Sequence, residues 1–240
     1  TSARTRPSSS PESRPSGIGA AGPCWDGGAH PGCDSATVPA GARAGCYDVA
    51  MCGRCVIFTF DEVLEIVRQI EVGAPLNLEP DWPARKPQAY PKSLAPLIVP
   101  SFDTAQPAPN LGLGSLAARD LSWGFEESWK PGVVFNTRIE SAMKPTWRDS
   151  MEHRRCVIPV PAFFESSQSE TFPSPKTGKP IKRQYEFRVP GQDIILIGCT
   201  WKGDAFSMVT TEANADMAPI HHRMPLIVRQ EELPLWLGPN

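Results

Sequence analysis

The run YEFRVPGQDIILIGCTWKGDAFSMVT, residues 185–210, decides the fold class. Residues 185–189, 194–199 and 205–210 are rich in aliphatic, aromatic and β-branched side chains, and each stretch has the length of a strand. The breaks between them, around Pro190-Gly191 and Lys202-Gly203-Asp204, leave no room for the helical crossover that parallel strands need. Similar runs lie at 55–60, 94–99, 121–125, 133–136, 156–160 and 226–228. Helical spacing is confined to a few places. In 62–70 the apolar residues Val63, Leu64, Ile66, Val67 and Ile70 fall on one face, with Asp61 as the expected N-cap. Short helices are expected around 141–147 and at 230–236. Proline-containing loops are expected over 73–92 and 103–118, and a polar hairpin tip at 173–182. Many short strands with few helices predict a mainly β, α+β domain without internal repeats.

The first fifty residues have another composition. They are mostly Pro, Ser, Gly and Ala, with Ile18, Val38 and Val49 as the branched aliphatics. Such a segment cannot bury enough apolar surface to offset its ordering entropy. Residues 1–50 are therefore expected to be a disordered leader or an upstream, non-native extension. The folded domain is expected to span 51–240, with Met51 as the start of the native chain. The leader also lacks the apolar core of a secretory signal.

The chain has 240 residues and a formal net charge of −2. The leader holds four arginines and four carboxylates, which leaves 20 basic and 22 acidic residues for the rest. A global basic field is absent, so any nucleic-acid site must be a local patch. No run reaches the roughly 18 apolar residues of a membrane span, and a soluble chain with reduced thiols is expected. Three cysteines lie in the leader and four beyond it: Cys52, Cys55, Cys156 and Cys199.

Four places carry chemistry: Met51-Cys52-Gly53-Arg54, Phe135-Asn136-Thr137-Arg138, Phe163-Phe164-Glu165 and Ile220-His221-His222-Arg223-Met224-Pro225. Removal of Met51 and everything before it would make Cys52 the N-terminus. An α-amine titrates near ~7.7–8.0, against ~10.4 for lysine, so a useful fraction is neutral at physiological pH. It can condense with an aldehyde to an imine, and the neighbouring thiol can then close a thiazolidine ring intramolecularly. The open-chain sugar of an abasic DNA site is such an aldehyde. Other readings stand beside this one. Cys52 and Cys55 form a C-x-x-C, a redox pair or half of a zinc site, or simply structural thiols. Glu165 is a general acid/base raised by apolar neighbours, or a solvated strand-end carboxylate. His221 and His222 are proton shuttles or loop histidines. Asn136 is an oxyanion or hydroxyl donor, or a turn amide. Arg54 and Arg138 clamp phosphates or are ordinary surface charges. Trp123 and Trp129 are core residues or stacking platforms.

The motifs and their order resemble the SOS response-associated peptidase family from Met51 to the C-terminus. Met51-Cys52-Gly53-Arg54 resembles its opening, and Leu121-Ser-Trp-Gly-Phe125 its Trp-Gly motif. Asn136-Thr-Arg138-Ile-Glu140-Ser-Ala resembles its Asn-Ala-Arg-x-Glu-Thr segment. Residues 155–165 are similar to its Arg-Cys…Gly-Phe-Tyr-Glu-Trp segment, and 210–225 to its closing Thr…His-x-Arg-Met-Pro block. Glu127 stands where a proline is usual, Ser166 where a tryptophan is, and residues 82–87 match the usual Tyr-Asn-x-x-Pro poorly.

The resemblance implies a mainly β, barrel-like α+β domain with a basic groove. It implies a DNA-damage role: an abasic-site sensor that crosslinks covalently to single-stranded DNA and has an associated autopeptidase, and possible lyase, activity. Carried over, Cys52 is the nucleophile, Asn136 positions the ring, Glu165 assists sugar opening and proton transfer, and His221 is the acid/base. Arg54 and Arg138 would grip the DNA backbone, and Trp123 would shape the DNA groove. No cofactor or metal is implied. The expected setting is a cytoplasmic, nucleoid-associated monomer of bacterial or phage type. A cysteine peptidase using Cys52 with His221 on its own leader or other proteins, and a noncovalent single-strand DNA binder, are the alternatives.

Overall fold

The computed structural model describes residues 52–82, 86–101 and 115–238, together with the backbone of Gly19–Ala21. The remainder of the expected leader, and most of the expected 103–118 loop, lie outside these residues. The strands, in chain order, are β1 (Gly19–Ala21), β2 (Arg54–Val56), β3 (Gln88–Ala89), β4 (Leu94–Pro100), β5 (Leu116–Trp123), β6 (Phe125–Glu126), β7 (Val133–Val134) and β8 (Asn136–Arg138). They continue with β9 (Arg155–Val160), β10 (Ala162–Pro173), β11 (Pro180–Arg188), β12 (Ile195–Lys202), β13 (Ala205–Glu212), β14 (Arg223–Pro225) and β15 (Ile227–Val228). Three α-helices are described: α1 (Phe60–Glu71), α2 (Pro145–His153) and α3 (Leu233–Leu237). None of them is long and apolar enough to cross a membrane.

The larger sheet runs β14-β13-β5-β4-β9-β12-β15, and an additional β13–β12 pairing closes part of it into a ring. The barrel-like, mainly β expectation is borne out. Period-2 alternation explains why both faces of the ring strands are apolar. Leu97, Cys156, Ile158, Ile195, Ile197 and Cys199 join one buried cluster, together with Trp123, Phe206 and Met208. The intervening Ile98, Val157 and Leu196 join another, which α1 covers with Val63, Ile66, Val67 and Ile70. Burying these four helix side chains stabilises the fold by roughly 6–12 kcal/mol before entropy is counted. A second sheet, β1-β11-β10-β2-β3, carries the residues of the site, and β6-β7 is a separate pair.

The start of α1 differs from the expectation. The 55–60 strand ends at Val56, and the N-cap is Thr59 rather than Asp61. Thr59 Oγ1 accepts from the Glu62 N–H at 3.4 Å while Glu62 Oε2 accepts from the Thr59 N–H at 2.8 Å. This reciprocal capping box satisfies two backbone donors and outcompetes a cap two residues later. The 121–125 strand begins earlier, at Leu116, and the 141–147 helix is replaced by a 3-10 turn at Ile139–Ser141 followed by α2 with Pro145 at its first turn.

Gly124 has φ +116, and a Cβ there would lie 2.6 Å from Val133 Cγ2. Only glycine lets β5 turn into β6 while the β7 strand packs this closely. That turn sets the course of the chain into β8.

Candidate functional site

Strand β2 pairs antiparallel with β10, placing Cys55 opposite Phe163 and Arg54 opposite Phe164. Along β10, Phe163 and Glu165 share a face by alternation. Phe163 is fully buried and stacks on Phe187 with ring centroids 5.4 Å apart. Glu165 follows it inward and is 2% exposed. Its Oε2 accepts from the Cys52 backbone N–H at 2.7 Å, and its Oε1 from the Ser166 N–H at 3.0 Å.

Burial pushes the Glu165 carboxyl from 4.5 up to about 7, against the opposing pull of the two N–H groups and of Lys182. A carboxyl in that range is divided between acid and base near neutrality, which suits a group that must both take and return a proton. Cys52 is 1% exposed. Burial raises its thiol well above the ordinary value, and Glu165 and Cys55 raise it further, against a backbone hydrogen bond at Arg54. In this chain, with Cys52 inside a peptide bond, the sulfur is held as a neutral thiol.

His221 is fully buried between β13 and β14, its ring stacked 4.6 Å from that of His222. Its Nδ1 lies 3.1 Å from the Arg223 N–H and 3.2 Å from the Arg223 carbonyl, while Nε2 is buried with no hydrogen-bond partner among the described residues. Burial lowers its pKa, and His222, Lys182 and Arg223 lower it further, opposing a backbone hydrogen bond with Arg223. The lowered value favours the neutral imidazole, whose Nε2 edge meets no hydrogen-bond partner among the described residues. The loop is tied to β10 by Gln168, whose N–H donates to the Ile220 carbonyl at 3.0 Å and whose side chain reaches His222 Nδ1 at 2.7 Å.

Asn136 opens β8, which runs parallel to β13 with Asn136 opposite Met208. The preceding Phe135 carbonyl accepts from Trp123 Nε1 at 2.9 Å and from the Met208 N–H at 3.0 Å. The Phe135 ring lies against Gly53, where a Cβ would meet it at 3.7 Å. Cys52 and Glu165 thus touch directly, while Asn136 and His221 border the same apolar cluster through Phe135 and Ile220. Arg54 is fixed over the Phe164 ring at 4.1 Å and donates to Gln88 at 3.0 Å and Gln184 at 2.8 Å. Arg138 is exposed at the end of β8.

Trp123 takes the core reading of the two that its sequence allowed. It is fully buried, stacked on Phe206 at 5.9 Å and edge-on to Phe135 at 6.2 Å. Its ring belongs to the core rather than serving as a stacking platform, and its indole N–H holds the Phe135 carbonyl from behind.

Sequence reasoning missed the partnership of Glu140 and Arg223, although both stood inside the motifs. Arg223 Nη1 and Nη2 bind the two Glu140 oxygens at 2.7 and 2.9 Å, and Nη2 also donates to the Thr210 carbonyl at 2.7 Å. The Arg223 hydrogen bonds hold the Glu140 carboxyl below its usual range. This bidentate pair pins the His221 loop to the turn after β8. Among the described residues, no group of three or more His, Cys, Asp or Glu side chains is placed to share a metal ion.

Residues 51–240 match the family model of the SOS response associated peptidase (SRAP). Among curated relatives, abasic site processing protein YoqW of Bacillus subtilis (strain 168) is 30% identical over 138 residues, 50% of this chain and 57% of that protein. YobE of the same organism, also an abasic site processing protein, is 25% identical over 204 residues, 79% of this chain and 83% of that one. The chain thus spans little more than half the length of YoqW, and most of YobE. Among solved structures, a phage-related protein from Bordetella bronchiseptica superposes with a TM-score of 0.54 at 20% identity, covering 78% of this chain and 82% of that one. A protein from Bacteroides thetaiotaomicron gives 0.51 at 18% identity, covering 79% and 82%. These two likenesses concern the fold. With the family model matched from Met51 to Asn240, this chain belongs to the SOS response associated peptidase (SRAP) family.

Proposed function

We propose that this chain is an abasic-site sensor which, once Cys52 is its N-terminal residue, forms a covalent thiazolidine crosslink with abasic sites in single-stranded DNA. The observation that carries the reading is the 2.7 Å contact between the Cys52 nitrogen and Glu165 Oε2. Freed from its peptide bond, that nitrogen is an amine already resting on a buried carboxylate that can take its proton. Glu165 first assists opening of the sugar to its aldehyde. The amine then attacks the aldehyde carbon, and the resulting carbinolamine loses water to give the imine. Glu165, now protonated, supplies the proton that the departing hydroxyl needs. The Cys52 sulfur adds to the imine carbon as its proton passes to the nitrogen, closing the five-membered ring. The neutral His221 imidazole, whose Nε2 has no partner among the described residues, relays protons in this step and in its reversal. Asn136 holds the ring in place, and Arg54 and Arg138 hold flanking phosphates. The names of the curated relatives support the choice of an abasic site as substrate.

The same contact favours a second, linked reading: autocleavage of the Met51–Cys52 bond. Attack of the Cys52 thiol on the Met51 carbonyl would move that acyl group to sulfur and expel the Cys52 nitrogen, which would take its proton from Glu165; water would then hydrolyse the thioester, releasing the leader as a carboxylic acid and restoring the thiol.

Protein beginning at Cys52 is expected to give a slow-migrating band with abasic single-stranded DNA on denaturing gels, and Cys52→Ala is expected to give none. A band that persists in Cys52→Ala, or that never forms with a free N-terminus, overturns the thiazolidine reading. Intact mass of the purified full chain reports the autocleavage separately.

A further inference from the structure

The β10–β11 hairpin leaves the site as an arm whose far end is strongly basic. Between Ser174 and Gln184 lie Lys176, Lys179, Lys182 and Arg183 and no carboxylate, in a chain whose net charge is −2. The tip is built to a fixed shape. The Ser174 N–H donates to the Lys179 carbonyl at 2.8 Å, the Gly178 N–H donates to the Ser174 carbonyl at 2.7 Å, and Pro173 stands opposite Pro180. Gly178 supplies the left-handed turn at φ +67. Arg183 is engaged with Glu170 at 3.0 Å, and Glu170 also accepts from the Tyr185 hydroxyl at 2.8 Å. Lys176 and Lys179 are exposed, and neither has a carboxylate at ion-pair distance among the described residues.

The arm is continuous with the site. Glu165 stands at the root of β10, and Gln184 of β11 accepts from Arg54. The positive charge of Lys182 reaches both Glu165 and His221. A cationic path therefore runs from Arg54 through Lys182 to the tip.

We propose that this hairpin is a phosphate-binding arm, in which Lys176 and Lys179 hold backbone phosphates of the nucleic acid several nucleotides from the site. The phosphodiester chemistry follows from exposed cations on a backbone of fixed shape; that the nucleic-acid backbone belongs to lesion-bearing DNA rests on the function proposed above. Glu165 pairs with Tyr185 and Pro173 with Pro180, across a bulge in β10, so the five residues of β11 set the length of the arm at about 17 Å, or about five stacked nucleotides at ~3.4 Å each. The arm thus reaches phosphates well outside the reacting nucleotide.

The test is binding of the full chain to oligonucleotides carrying a tetrahydrofuran abasic analogue, which has no aldehyde and cannot form an imine. Fluorescence anisotropy between about 50 and 200 mM salt gives the slope of log affinity against log salt. Two lost phosphate contacts lower that slope by about 1.4 on single strands, or about 1.8 where the arm lies on duplex. On single strands the Lys176→Ala/Lys179→Ala variant should accordingly lose about 7-fold less affinity across this range than the wild type. Lys176→Gln/Lys179→Gln, which keeps side-chain length, should behave likewise. Oligonucleotides with only about two nucleotides on each side of the analogue, too short for the reach of about 17 Å, should bind wild type and variant alike. Unchanged slopes on both single-stranded and duplex-flanked long oligonucleotides overturn the arm. Crosslinking at saturating DNA by protein beginning at Cys52 reports on the other proposal: a slope change without crosslinking keeps the arm and removes the thiazolidine.

Discussion

Replacing Glu165 with glutamine should make the fold relatively more stable as the pH rises while disabling the site. Glu165 is 2% exposed, and burial raises its carboxyl from 4.5 to about 7. The folded value lies above the unfolded one, so between them the folded chain binds more protons than the unfolded chain. The contribution of Glu165 to stability is therefore complete below the unfolded value and is lost as the pH rises through about 7. The separation of the two values corresponds to about 3 kcal/mol. Glutamine does not titrate, so Glu165→Gln escapes this loss. It has one carbonyl oxygen for the two N–H donors of Cys52 and Ser166, and its amide group faces the second donor at a cost of about 1–3 kcal/mol at any pH. The variant should be the less stable protein near pH ~5, with the gap closing or reversing by pH ~8.5. For a domain of this size each kcal/mol moves Tm by about 2–4 °C, so the Tm difference should shift by roughly 6–12 °C across that range. Calorimetry on the full chain, with Cys52 in its peptide bond, measures it. In protein beginning at Cys52, the same substitution should slow crosslinking by about 10²–10⁴-fold and leave the α-amine, near ~7.7–8.0, to set the pH dependence of the rate. A Tm difference that does not depend on pH would refute the reasoning, because it would mean that the buried carboxylate carries no charge penalty.

Cys52→Ser keeps the α-amine and replaces sulfur with a hydroxyl, so it should still form an imine that borohydride traps. It should give little adduct that survives without the reductant, and an unreduced adduct as abundant as that of the wild type would show that the thiol is dispensable. Gly124→Ala places a Cβ 2.6 Å from Val133 Cγ2 at a φ of +116, and should cost about 2–4 kcal/mol in urea unfolding. Adding Val133→Ala should recover the steric part and leave the backbone strain; full recovery, or no initial loss, would contradict the close packing described for this turn.

The strands of the ring were legible in the sequence because each is a short apolar run between turn residues, a local property. Pairings between distant strands were not. That Asn136 lies opposite Met208 in a parallel pair depends on closure of the whole sheet, and nothing near Asn136 signals it. The Thr59 cap was legible as a Thr-x-x-Glu pattern; Asp61 was the wrong choice because the reciprocal bond to Glu62 outweighs a lone cap. At the site, Cys52 and Glu165 are in contact, and their pairing follows from the β2–β10 register, which no spacing in the chain encodes. Trp123 shows the opposite difficulty. A tryptophan in a motif reads equally well as a platform or as core, and only its full burial against Phe206 decides for core. Glu140 and Arg223 were quoted as motif residues without a role, because a salt bridge across 83 residues has no local trace.

The contact between the Cys52 nitrogen and Glu165 spans 113 residues, and that between Arg54 and Gln184 spans 130. On a ribosome adding about 5–20 residues per second, roughly 6–20 s pass between the making of the cysteine and the making of its carboxylate partner. During that interval no β10 exists to cover Cys52, so its thiol keeps an ordinary acidity and stands open to electrophiles. Translation speed, and whatever shields the emerging chain, therefore decide how many copies reach the folded state with the cysteine intact.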